Sequence, residues 1–127
     1  MLKCPYYYKR STIDVGGGNL ISSDIIRGYI DIMILFMLLD TPSYGYEVSK
    51  KINSLTEGKY LIKETTLYSA FTRLERNGYI ISFSGEDYGD RRTYYRITEE
   101  GLKYYYEKCQ EWVLTKEVIE CFIRGGI

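Results

Sequence analysis

The side chains best placed to do chemistry are hydroxyls and guanidinium groups on one short stretch. Thr65, Ser69, Thr72 and Arg76 recur at spacings of three and four, with Tyr68 and Arg73 at the margins. At about 100° per residue these share one face of a helix, and Leu67, Ala70, Phe71 and Leu74 share the opposite, core-facing side. Small hydroxyls permit close approach to a groove. Arg73 and Arg76 can neutralise phosphates, and an arginine can also read guanine. Tyr68 can offer its ring to a thymine methyl or its hydroxyl to a phosphate. An ordinary solvated helix face would carry much the same residues. A second basic pair, Arg91-Arg92, beside a glycine-bearing turn, shifts the balance towards nucleic acid.

Other chemistries are poorly supplied. The chain has no histidine, which removes the commonest general base and the commonest zinc ligand. Cys4, Cys109 and Cys121 form no CxxC pair, and an odd count argues against a disulfide framework, so a reduced, cytoplasmic setting fits. There is no phosphate loop and no nucleophile–base pair, so no enzyme, no metal and no cofactor is expected. Net charge is zero, from 17 basic and 17 acidic residues, and DNA affinity must come from local patches. Residues 44–98 hold nine basic and seven acidic side chains, a slight excess that implies strongly salt-dependent binding.

The elements that must position these groups follow from periodicity. Residues 1–22 read as a flexible extension, with Gly16-Gly-Gly-Asn19 as a link and Lys9 and Arg10 able to serve a minor-groove arm. Residues 24–39 predict a first helix capped by Asp24 and buried on most sides. Its apolar run from Tyr29 to Leu39 is too short to span a bilayer and contains Asp31, so no membrane is expected. Pro42 ends it, and Ser43 is expected to cap a second helix to about Leu55, with Val48, Ile52 and Leu55 on one face and Lys50 and Lys51 off it. Tyr60–Ile62 is a short strand candidate. A third helix runs from Thr65 to Asn77, stopped by Asn77-Gly78. The period then changes to two: Ile81 and Phe83 alternate with serines, Gly85–Asp90 turns, and Arg91–Ile97 returns as a strand. Thr98 caps a last helix to about Ile123, with Gly101 where a capping box would place Glu or Gln.

Leu102, Tyr105, Cys109, Trp112, Lys116, Ile119 and Ile123 make a heptad seam along that last helix. It could pack on its own domain. A helix this long has nothing in so short a chain to pack on, which favours a second copy. Two-fold DNA reading also needs two recognition helices about 34–36 Å apart. Aromatic residues at a two-fold interface can also wall a ligand cavity.

The residues from 24 to 123 resemble the PadR family of bacterial regulators. The matching stretches are Ile26-Arg-Gly-Tyr29, Tyr44-Gly-Tyr-Glu-Val48, Thr66-Leu-Tyr-Ser-Ala70, Arg73-Leu-Glu-Arg-Asn-Gly78 and Asp90-Arg-Arg-Thr-Tyr-Tyr-Arg-Ile-Thr98, followed by Gly101. Lys63-Glu64 departs from the polar cap common before the third helix, and Glu86, Asp87 and Asp90 put acids in the wing. The resemblance implies a mainly α, α+β fold: a winged helix-turn-helix over 23–98 with a long dimerisation helix over 99–127. It implies a repressor that binds an inverted repeat in double-stranded DNA as a homodimer and responds to a small aromatic or hydrophobic effector. On this reading the DNA-facing set is Tyr44, Lys50, Lys51, Thr65, Thr66, Tyr68, Ser69, Thr72, Arg73, Arg91 and Arg92. Trp112 falls where short members carry a pore tryptophan, and Tyr105 and Cys109 are its expected companions at the ligand. The alternative is a winged-helix module that binds protein and not DNA.

Overall fold

A computed structural model describes residues 21–124. The expected arm with Lys9 and Arg10 and the glycine link after it lie outside the described residues. The chain forms α1 (Ser23–Ile26), a 3-10 turn (Arg27–Tyr29), α2 (Ile30–Met37), β1 (Ser43–Tyr44), α3 (Gly45–Leu55) and α4 (Glu64–Arg76). There follow β2 (Ile80–Ser84), a second 3-10 turn (Gly85–Tyr88), β3 (Thr93–Ile97) and α5 (Glu99–Glu120). The three strands are antiparallel in the order β1-β3-β2. No helix among the described residues is long and apolar enough to cross a membrane.

The first predicted helix is broken. Ser22, not Asp24, caps it, its hydroxyl accepting from the Ile25 amide at 3.3 Å. The tighter turn at Arg27–Tyr29 then re-aims the chain, at a stretch where Gly28 gives α-helix little support. Burial falls on one side only: Ile30, Ile34, Leu35 and Leu38 are in the core, while Phe36 is exposed.

Ser43 is also not a cap. It is a fully buried strand residue opposite Tyr95, and its hydroxyl donates to the Glu47 carboxylate. Tyr44 takes the position before α3 and makes no side-chain capping bond. Of the expected α3 face, Val48 and Ile52 are buried, whereas Leu55 is exposed. Tyr60–Ile62 forms neither helix nor strand and is not part of the sheet. Tyr60 and Ile62 are buried and Leu61 is exposed, so the alternation reflects two anchors in the core, not sheet pairing.

Helix α4 begins at Glu64, one residue earlier than expected, and ends at Arg76, with Gly78 in the left-handed conformation at φ 81°. Leu67, Ala70, Phe71 and Leu74 are buried against Ile34, Leu35, Val48, Ile52 and Ile80 in one core. Each fully buried large aliphatic or aromatic side chain contributes about 1.5–3 kcal/mol. The hairpin follows β2 as expected, but β3 begins at Thr93. The Asp90 carboxylate accepts from the Arg92 amide at 2.8 Å, and this local bond keeps Arg91 and Arg92 in the turn.

Thr98 caps α5 as expected, accepting from the Gly101 amide at 3.0 Å, and its hydroxyl donates to the Gly78 carbonyl at 2.7 Å. A Cβ at Gly101 would stand 2.0 Å from the Tyr79 carbonyl oxygen. The residue that spoils the capping box is therefore the one that lets the helix start against the hairpin. The helix ends at Glu120, short of Ile123. Its first turns do pack on the body, with Tyr104 stacked on Tyr79 at 4.1 Å. The expectation that it finds nothing to pack on describes only its far half.

Candidate nucleic-acid interface

Helix α4 presents Thr65, Ser69, Thr72 and Arg76 to solvent, as its pattern requires. Thr66 is half-buried beside Leu67, so it offers less to a groove than expected. Thr72 donates its hydroxyl proton to the Tyr68 carbonyl at 3.0 Å, leaving a methyl and an acceptor lone pair outward. Tyr68 is 43% exposed, edge-on to Phe71. Its hydroxyl lies so close to Gly45 that a Cβ there would be 2.2 Å away, so it braces the start of α3 while showing one edge outward. Arg73 differs most from expectation. Its guanidinium pairs with the Asp31 carboxylate on α2. A helical wheel cannot show that partner, which lies 42 residues earlier.

On α3, Lys50 and Lys51 are exposed, with Lys51 3.8 Å from Glu47. Tyr46, not foreseen, is 71% exposed at the start of the same helix, beside the Gly45–Tyr68 contact. Its signal in the sequence was weak, since one exposed tyrosine among 15 stands out only when the helix start is placed correctly.

The wing is built around aromatic rings. Phe83, Tyr88 and Tyr94 pack together, and Tyr44 meets Tyr94 edge-on at 5.3 Å. The Arg92 guanidinium lies 4.4 Å from the centre of the Tyr44 ring and 3.3 Å from the Asp90 carboxylate. Tyr44 is thus half-buried under Arg92 and presents less surface than its place in the sequence suggests. The Arg92 amide, before all other causes, holds the Asp90 carboxyl below its ordinary value. Arg91 is exposed at the hairpin turn.

The three residues expected at a ligand do not converge. Trp112 is 43% exposed and meets Tyr29 edge-on at 5.3 Å. With Tyr29, Gly28, Ile32, Lys108 and Thr115 it borders a recess of about 280 Å³ between α5 and the first helical segment. Tyr105 and Cys109 are half-buried and do not line that recess. Burial, reinforced by a hydrogen bond with Cys109, pushes the Tyr105 hydroxyl up to about 12. Tyr29 is the aromatic partner that sequence spacing alone did not assign to Trp112. Beyond Trp112 the helix leaves Val113, Leu114, Val118 and Ile119 exposed. Among the described residues, no three metal-ligating side chains come together.

Three helices, a strand pair closing a wing and an exposed polar face on α4 define a winged helix-turn-helix protein. The model of the transcriptional regulator PadR-like family matches residues 34–107. A transcriptional regulator from Clostridium thermocellum is 62% identical, with a TM-score of 0.76, over 80% of this chain and 100% of that one. A PadR family transcription regulator from Clostridium difficile is 38% identical, with a TM-score of 0.63, over 74% of this chain and 97% of its own. An uncharacterised protein from Lysinibacillus sphaericus is 43% identical over 107 residues, 84% of this chain and 98% of that protein. The chain belongs to the PadR-like family of transcriptional regulators.

Proposed function

We propose that this chain is a repressor that binds an inverted repeat in double-stranded DNA as a homodimer, in the cytoplasm, and is released by a small aromatic or hydrophobic effector. The observation that carries the reading is the division of α4: four apolar residues are buried, and Thr65, Ser69, Thr72 and Arg76 stand exposed opposite them. That face suits a major groove, with Lys50, Lys51, Arg91 and Arg92 at flanking phosphates. Regulators of this family bind DNA, which favours this reading over a protein-binding module.

The homodimer is supported by the apolar residues that α5 leaves uncovered after Trp112. The effector reading is supported by the recess beside Trp112, whose walls pair two aromatic rings with Ile25 and Ile32. The recess is partly open to solvent, so a homodimer that covered its mouth would enclose a ligand there. The change on binding must come from different ligand affinity for two spacings of the recognition helices.

Selection of duplexes from a random library, followed by titration at several salt concentrations, tests the DNA reading. A two-fold symmetric sequence with a steep salt dependence is expected. Recovery of no preferred sequence would leave the protein-binding module in its place.

A further inference from the structure

The carboxylate of Asp31 is shared between two distant elements, one oxygen to each. Oδ1 takes the guanidinium of Arg73 on α4, and Oδ2 accepts from the Tyr104 hydroxyl on α5 at 2.8 Å. The three residues come from three helices, separated by 42 and 73 positions in the chain. The Asp31 side chain is 13% exposed, whereas Arg73 is 46% exposed and stands at the margin of the DNA-facing surface. Tyr104 is fixed independently, stacked on Tyr79 with Lys108 over its ring. An ion pair with so exposed an arginine adds little to stability by itself. What it does fix is where the arginine's charge points.

We propose that Asp31 is a positioning residue for DNA recognition: it withholds the Arg73 charge from the phosphates and ties the recognition helix to the long helix through Tyr104. The inference rests on the DNA-binding reading above. A cation free to swing to any phosphate raises affinity for all sequences equally. Held by Asp31, Arg73 adds nothing to that indiscriminate term, and the hydroxyl face of α4 decides. Because the other carboxylate oxygen is bound to α5, a displacement of that helix also changes the grip on Arg73. Burial first, and then the bond to Asp31, raises the Tyr104 hydroxyl above its ordinary value.

The test compares the wild type, Asp31→Asn and Tyr104→Phe. Each is titrated with the library-selected duplex and with a scrambled duplex across a range of salt. For Asp31→Asn, the released Arg73 should steepen the log K against log salt slope by about 0.9, one phosphate contact. Preference for the selected duplex should fall by about fivefold. Tyr104→Phe should reduce the preference by about twofold with the slope unchanged. Loss of preference without a steeper slope in Asp31→Asn would make the residue a plain folding contact and overturn the proposal. If that variant does not fold, wild-type preference in Tyr104→Phe overturns it instead. Failure of the wild type to prefer any duplex removes the DNA reading and this one together, a result readily told apart from the others.

Discussion

Helices α4 and α5 treat their apolar residues in opposite ways. In α4 the apolar side is fully used within the chain, and what faces outward is hydroxyls, guanidinium groups, the carboxylates of Glu64 and Glu75, and one tyrosine edge. In α5 only Gly101 is buried, and the far half displays Trp112, Val113, Leu114, Val118 and Ile119. The first helix is finished by its own fold and differs from a solvated helix only in the chemistry it shows. The second keeps apolar side chains uncovered within the chain. What remains exposed after folding thus separates the two helices, polar and charged groups on α4 and apolar ones on α5, more than overall hydrophobicity does.

The comparison can be broken most forcefully in the core. Phe71→Ala removes a fully buried ring stacked on Tyr95 at 4.0 Å and should cost about 3–5 kcal/mol, read by denaturant unfolding. A loss below 1 kcal/mol would mean α4 is not seated as described. At the junction between the two regions, Gly101→Ala drives a methyl into the Tyr79 carbonyl and should cost about 1–3 kcal/mol. An unchanged melting temperature would show that α5 starts elsewhere.

Ile119→Glu probes the unfinished side. It should alter the stability of one chain by no more than about 0.5 kcal/mol while shifting sedimentation towards the monomer. Retention of the wild-type sedimentation profile would clear that face of any role in association. The smallest effect concerns pH. Tyr104 has a raised folded-state value, so its share of stability is complete below about pH 10, where the free tyrosine titrates, and is lost as pH rises through the folded value. The alkaline unfolding midpoint of Tyr104→Phe should therefore depend less on pH above 10. Identical alkaline profiles would show that folding does not raise the Tyr104 hydroxyl.

Much of this architecture is written in local pattern. The core side of α4, the Asn77-Gly78 stop, the hairpin and the Thr98 cap all follow from residues within a few positions of one another. What sequence does not disclose is non-local. Ser43–Tyr44 is too short to show a period and is a strand only because Tyr94 and Tyr95 lie alongside it. Helical phase aims Arg73 at the groove, but Asp31 on α2 takes its guanidinium. Trp112 is conspicuous as the single tryptophan, yet its aromatic neighbour Tyr29 comes from the opposite end of the described chain, and the nearer Tyr105 and Cys109 stand aside. Residue type and helical phase identify surfaces well. They identify the partner of a given charge or ring only when that partner is close in sequence.

The joint at Thr98–Gly101 has a mechanical meaning. Helix α5 is rooted there by two bonds from one threonine and by the close approach of the glycine to the Tyr79 carbonyl. The bond from Tyr104 to Asp31 and the edge contact of Trp112 with Tyr29 hold it again along the body, so the arm that projects past these contacts is residues 113–120, about 12 Å at 1.5 Å per residue. A tilt of about 5° at Trp112 would move that tip by about 1 Å, less than the advance of one residue along the helix. A push on the tip therefore meets Tyr29 and Asp31 before it can reach the hairpin.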